Sequence, residues 1–209
     1  ALAYFAEAQV AAAVVETGLG GALDSTNVLD PVVATVTNIA LDHSEYRGPT
    51  LQGIADEKGG IFKFGRPAVI AEPRMELAKR LAQRAADRGA TPIIVTRVDW
   101  RAWSVSLAGG MTSFTAATPL GRTRLSTPLL GEHQVRNTLA ALATLHAAGP
   151  DYAIPKASIN RALSTVTVPG RFQRVHEWIF DVAHNAAGAR ALAETLSAQR
   201  PPPPVTIVL

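Results

Sequence analysis

"PVVATVTNIALDHSEYRGPTLQGIADEKGGIFKFGRPAVIAE", residues 31 to 72, joins two β-branched runs through one amphipathic segment, and that order decides the fold. The first run, PVVATVTNI (31 to 39), reads as a buried strand that empties into the polar loop LDHSEYRG. Thr50 is placed to cap a helix; Leu51, Ile54 and Ala55 give it an apolar face, and Gly59-Gly60 closes it. PAVIAE (67 to 72) is the next strand. Upstream, residues 2 to 9 read as helix, and AAAVVE (11 to 16) as a buried strand that ends in the glycine turn GLGG. Downstream, MELAKRLAQRAADRG (75 to 89) is an amphipathic helix and TPIIVT (91 to 96) a further strand. Alternating strand and helix predicts an α/β fold with a mostly parallel, doubly wound sheet.

Residues 97 to 130 change period. WRAWSVSL and TSFTAAT alternate, and Gly109-Gly110 and TPLGRTRL supply turns, which predicts a small antiparallel β element. A helix begins near Gln134, a Pro-initiated helix lies within 150 to 166, and VPGRF is an irregular junction. WIFDVAH reads as a strand, NAAGARALAETLSAQ as a helix, RPPPP as a stiff connector and VTIVL as another strand. That closing β-α-β order predicts the start of a second, Rossmann-like α/β domain. The expected division is 1–168 for a central domain, 169–173 for a junction and 174–209 for the incomplete second domain.

Composition narrows the function less than the fold. The 209 residues carry 20 Lys and Arg against 17 Asp and Glu, with the basic residues spread along the chain, so no nucleic-acid stripe or membrane-binding face is expected. The absence of cysteine removes disulfides, thiolate metal sites and thiol nucleophiles, and is compatible with a reducing cytoplasm. Glu7 and Gln9 interrupt the apolar opening, which argues against a signal peptide or a membrane span.

Several polar residues fall at predicted strand ends, where open α/β sheets gather their ligands. Glu16 closes a buried run before TGLGG; it is a candidate cation ligand, although its spacing alone favours an acceptor for amides of the glycine turn. His43 follows the second run and could join Glu16 on one divalent ion. An oxygen-rich, thiol-free set favours Mg²⁺ or Mn²⁺. Lys58 beside such a site would be repelled unless its amine, neutralised by the cation, adds carbon dioxide to become an anionic carbamate; the alternative is an ordinary solvated lysine. Asn137, one turn into a helix, can pair with an adenine edge or serve as a cap. Arg171 in PGRF could reach a phosphate, and Asp181, with His184 beside it in DVAHN, could accept from ribose hydroxyls.

Taken together, ETGLGGALDSTNVLDP (16 to 31), TNIALDHSEYRGPTLQGIADEKGGIFK (37 to 63), PLLGEHQVRNTLAAL (128 to 142), PGRF (169 to 172) and DVAHNAAGARAL (181 to 192) occur in an order that resembles the bacterial folylpolyglutamate synthase/dihydrofolate synthase group of Mur-ligase-like enzymes. The resemblance covers nearly the whole chain. It implies an ATP-dependent ligase that activates a carboxylate as an acyl phosphate and joins it to the amine of L-glutamate. The acid would be dihydropteroate or the γ-carboxylate of a reduced folate. It further implies Mg²⁺ held by Glu16, His43 and a carbamylated Lys58, and a pterin-facing stretch at Leu23, Asp24 and Ser25. Asn137, Arg171 and Asp181 would bind ATP through adenine, phosphates and ribose, with His184 nearby. A cytoplasmic monomer is expected.

The sequence departs from the family pattern in three places. Ala22 stands where an arginine usually follows GLGG, Gly60 where alanine is usual, and DVAHNAAG replaces DGAHNP. No G-x-x-x-x-G-K-[ST] phosphate loop occurs among the 209 residues. The family carries that loop upstream of the opening block, so the chain reads as an internal piece whose ligation activity alone would be weak or nil. The rival expectations are a Mur-like ligase for a different acid, a nucleotide-binding remnant without catalysis, and a carbamate-lysine metallohydrolase.

Overall fold

A computed structural model describes residues 1–41, 50–199, 205–206 and 208. Its centre is a parallel sheet of three short strands, β1 (Ala34–Val36), β2 (Ala68–Ile70) and β3 (Ile93–Val95), in that order across the sheet. Ala34 stands opposite Ala68 and Ala68 opposite Ile93, so the strands run in step. Parallel pairing needs a crossover between strands, and two helices supply it: α2 (Leu51–Gly59) after β1 and α3 (Met75–Asp87) after β2. Residues 2–7 form a first helix, α1 (Leu2–Glu7), with no buried side chain.

The twofold alternation of β2 explains why both faces of the sheet are covered. Ala68 and Ile70 point into a core with Ile54, Phe62, Leu77 and Leu81, formed by α2 and α3. Val69 points the other way, into a core with Trp100, Phe114, Leu125, Val135 and Leu139. The latter is closed by α5 (Glu132–Ala147), whose Thr144 hydroxyl bonds that of Thr35 in β1 at 2.8 Å. A single helical turn, α4 (Thr96–Asp99), leads from β3 into the antiparallel sheet β4 (Arg101–Ala108), β5 (Met111–Thr118) and β6 (Gly121–Thr127). Phe114 and Ala116 of β5 and Leu125 of β6 face the core. α6 (Lys156–Thr165) follows a 3₁₀ turn at Pro150–Tyr152 and packs along β6 through Ile159 and Leu163.

The fold predicted from the sequence is therefore present, with these corrections. Residues 11–16 do not form a strand. They have no regular structure and are exposed, Val14 fully so, and among the described residues their backbone groups find no ladder partner. A β-branched run supplies the propensity, but a strand exists only where a neighbour supplies the hydrogen bonds. The second correction concerns WIFDVAH: Trp178–Phe180 (β8) pairs antiparallel with Gln173–Val175 (β7) as a hairpin, and among the described residues no parallel strand follows the helix α7 (Ala186–Gln199). Finally, Val205, Thr206 and Val208 have no regular structure; the remaining positions of VTIVL and the connector RPPPP lie outside the described residues. The helix predicted over 2–9 stops at Glu7.

Candidate functional site

The helix α2 begins where Thr50 was expected to cap it, its hydroxyl accepting the Gly53 amide at 3.1 Å. Such a cap contributes about 1 kcal/mol. At the other end the glycine turn after Glu16 lies directly on the helix. A Cβ on Gly20 would stand 2.8 Å from Glu57 Oε1, and one on Gly21 would stand 2.7 Å from Glu57 O and 2.9 Å from Lys58 Cα. Side chains at 20 and 21 would therefore force the turn off the helix, and Gly20 also needs its φ of +71°. The Ala22 amide donates to Glu57 O at 2.9 Å and the Leu23 amide to Glu57 Oε1 at 3.3 Å. In this way the sequence places the turn that follows Glu16 against the helical turn that carries Lys58.

Glu16 itself is exposed and accepts no hydrogen bond from a described residue, so the glycine-turn amides do not occupy it. Lys58 is half-buried in the last turn of α2. His43 lies outside the described residues. Among the described residues no cluster of three or more His, Asp or Glu side chains forms a metal site.

Asp24 organises the loop behind the glycines. One carboxylate oxygen accepts the Leu19 amide at 2.8 Å, and the other accepts the Thr26 amide at 2.9 Å and the Thr26 hydroxyl at 2.6 Å. These bonds, the Thr26 hydroxyl first, lower its pKa to about 2. Asp24 thereby caps the 3₁₀ turn Ser25–Val28, while Leu23 and Ser25 beside it are exposed. Asn27 ties the loop down from below, donating to Ala22 O at 2.8 Å and Gly60 O at 3.3 Å.

Two residues that sequence reasoning passed over fix the carboxyl end of β1. Glu72 is completely buried just beyond β2. Its carboxylate accepts the Ile39 amide at 2.6 Å, the Arg74 amide at 2.8 Å and Arg74 Nε at 2.6 Å. The Arg74 guanidinium also donates to Ile39 O. The signal was present in AEPR: an acid emerging from an apolar run needs a counter-charge, and the arginine two residues on supplies it.

A second constellation forms at the start of α5. His133 is partly buried, and its pKa is lowered first by burial and then by Arg136 and Arg171, with Asp181 and Glu194 opposing. The charges of Arg171 and Asp181 are therefore felt at one imidazole, one turn before Asn137. Gln134 Nε2 lies 3.1 Å from His133 Nε2, a hydrogen bond in which the roles follow the imidazole tautomer. Gln134 Oε1 in turn accepts from Asn137 Nδ2 at 3.0 Å.

Asp181 clamps two turns at once, accepting the Phe172 amide and the Ala183 amide, each at 2.9 Å. Phe172 is held at a φ of +49°, which accounts for the irregular PGRF junction. His184 Nδ1 lies 2.9 Å from Val182 O, and the Asn185 side chain caps α7 through the Gly188 amide at 2.9 Å. The helix α7 returns to the start of α5, where Thr195 Oγ1 would lie 2.7 Å from a Cβ on Gly131. Asn137, Arg171, Asp181 and α7 are thus gathered near one helix start, whereas Leu23, Asp24 and Ser25 belong to the loop beside Lys58.

Parallel strands covered by helices on both faces, with turns packed at their carboxyl ends, place the chain in the class of open α/β sheet domains. The family model of the Mur ligase middle domain matches residues 1–145, and the chain belongs to that family. It is 36% identical over 208 residues to the dihydrofolate synthase/folylpolyglutamate synthase of Escherichia coli, covering 95% of this chain and 45% of the relative. An FPGS–AMPPCP–folate complex matches 96% of this chain and 50% of its own, with a TM-score of 0.88 and 32% identity. E. coli FolC in complex with DHPP and ADP matches 90% of this chain and 43% of its own, with a TM-score of 0.75 and 35% identity. The chain spans about half the length of the curated relatives it matches.

Proposed function

We propose that this chain is the central part of an ATP-dependent ligase that joins L-glutamate to dihydropteroate or to the γ-carboxylate of a folate. The observation that carries the reading is the likeness, over nearly the whole chain, to a structure that holds an ATP analogue and a folate together. The carboxylate would attack the γ-phosphorus of ATP, giving an acyl phosphate and ADP. The glutamate amine would then displace phosphate and lose a proton as the amide forms.

In this reading Asn137 pairs with adenine and Arg171 offsets charge on the phosphates as the phosphoryl group moves. Asp181 accepts from ribose; a carboxylate has about four acceptor directions, so its two amide bonds leave room. His184 stands beside them. Leu23, Asp24 and Ser25 form the side facing the pterin acid, where the firm seat of Asp24 keeps Leu23 exposed. Mg²⁺, or Mn²⁺, would be held by Glu16, His43 and Lys58, and would supply charge neutralisation at the phosphates. The Glu16 carboxylate, which accepts no hydrogen bond from a described residue, and the packing of its glycine turn against Lys58 fit a hard cation there. Lys58 would serve as a carbamate, its amine adding carbon dioxide and releasing a proton. The division into 1–168, 169–173 and 174–209, a cytoplasmic monomer, and small-molecule partners with neither nucleic acid nor membrane complete the proposal. No described helix is long and apolar enough to cross a membrane.

The test is product formation by the protein that contains this chain, with ATP, Mg²⁺, L-glutamate and either dihydropteroate or tetrahydrofolate. Mass spectrometry should find one added glutamyl residue and stoichiometric ADP. Without a glycine-lysine phosphate loop in its 209 residues, the isolated chain should give little or none. ADP release that needs no pterin acid, or an amide made only with a different acid, would overturn the reading.

A further inference from the structure

The scattered look of the basic residues in the sequence hides two stretches without any acid, 100–131 and 152–176. They hold Arg101, Arg122 and Arg124, and Lys156, Arg161, Arg171 and Arg174, leaving thirteen basic against seventeen acidic residues in the rest of the chain. The fold packs one stretch on the other, because α6 lies along β6. Between them runs a groove of about 520 Å³ lined by Arg124, Leu125, Ser126, Asn160, Arg161 and Ser164. Both arginines are exposed, and no described acid pairs with either of them.

The pairing of β6 explains how the charges share a side. Arg122, Arg124 and Ser126 alternate with Leu125 and Thr127, which are buried, so the polar set is turned outward. Lys156 reaches across to Arg122 O at 3.0 Å. Arg124 lies three residues from Thr127, whose partner Thr112 accepts the Gly131 amide at 3.1 Å, so the row of arginines begins roughly 10 Å along the strand from the start of α5. Beyond the groove α6 leads directly to the PGRF junction.

We propose that this groove binds the carboxylates of an oligo-γ-glutamyl chain, the anionic tail that grows on a folate; the choice of that ligand rests on the function proposed above. Two guanidinium groups flanked by hydroxyl and amide side chains suit successive carboxylates, each able to accept a forked pair of hydrogen bonds. A nucleic acid is disfavoured. Trp103 is the one aromatic ring in these three strands' outward set, and the Arg122 guanidinium already occupies one of its faces, 4.7 Å from the ring centre, so no row of rings is offered to successive bases.

The test titrates the whole chain with penta-γ-glutamate at low salt, read by calorimetry and by tryptophan fluorescence, to which Trp100 and Trp178 contribute beside Trp103. Binding should weaken with added salt and fall about tenfold or more in each of Arg124→Ala and Arg161→Ala, with Arg161→Lys falling less. Circular dichroism and melting of the variants should match the parent, because both side chains are exposed. Unchanged affinity in well-folded Arg124→Ala and Arg161→Ala, or tighter binding of an oligonucleotide or tripolyphosphate than of penta-γ-glutamate, overturns the proposal. In the ligase assay above, both variants should keep the rate on a monoglutamate acceptor and raise KM only for polyglutamylated acceptors. Loss of all ligase activity in the unaltered protein would count against the proposed function, while the titration would still decide the groove.

Discussion

Replacing Glu72 by alanine removes the one buried carboxylate that ties the end of β1 to the start of α3. The Ile39 amide would be left buried without a partner, at a cost of about 1–3 kcal/mol. The charge-assisted bonds from Arg74 would be lost too, but the Arg74 side chain is 45% exposed and can return its guanidinium to water. Removing one partner of a buried pair costs about 3–5 kcal/mol, and the partial exposure of Arg74 puts Glu72→Ala at the lower end, roughly 3 kcal/mol. With an m-value of about 2 kcal/mol/M, the urea midpoint should fall by about 1.5 M. Glu72→Gln should lose less, about 2 kcal/mol, since an amide oxygen still accepts one N–H while its nitrogen faces the others. Combining Glu72→Ala with Arg74→Ala should show coupling above about 1 kcal/mol. A single-variant loss under about 0.5 kcal/mol, or strict additivity in the pair, would refute this account of the clamp.

Gly60→Ala should destabilise the chain by about 1–3 kcal/mol in the same assay, because the new Cβ would stand 2.6 Å from Ala22 Cα and Ala22 is anchored at both its amide and its carbonyl. A neutral result would mean that the glycine loop yields easily. His133 predicts a pH dependence. Its pKa is lower in the fold than in the unfolded chain, so the unfolded state binds more protons and the stability from this group is complete above about pH 6.5. It should decline as pH falls from there through the folded value, and melting temperatures between pH 5 and 8 should flatten in His133→Gln; an identical slope in the variant would exclude His133 as the source.

The helix at Leu51–Gly59 was legible because its determinants are local: a hydroxyl at Thr50, apolar spacing, and glycine after the last turn. Gly60 was legible as a stop but for an incomplete reason. It has an ordinary helical φ of −63°, and the demand for glycine comes from Ala22, remote in sequence. The run 11–16 misled in the opposite sense, since its residues favour a strand whose hydrogen-bonding neighbour no local pattern can provide. Glu72 and Arg74 escaped attention because a single acid after an apolar run looks ordinary until Ile39, 33 residues away, is seen to depend on it. The segregation of charge escaped because a whole-chain tally cancels what two acid-free stretches bring together once β6 and α6 are packed.

The seating of the glycine loop on α2 also bears on protein grafting. Ala22, Asn27 and Gly60 share one small volume, and Asn27 Nδ2 contacts both of the other two residues' carbonyls. A chimaera that imports only the loop, or only the helix, from a relative with bulkier partners would inherit half of a fitted joint. Exchanged as a unit, residues 16–31 and 50–63 would carry their own fit with them, so these two separated segments form a single inheritable module.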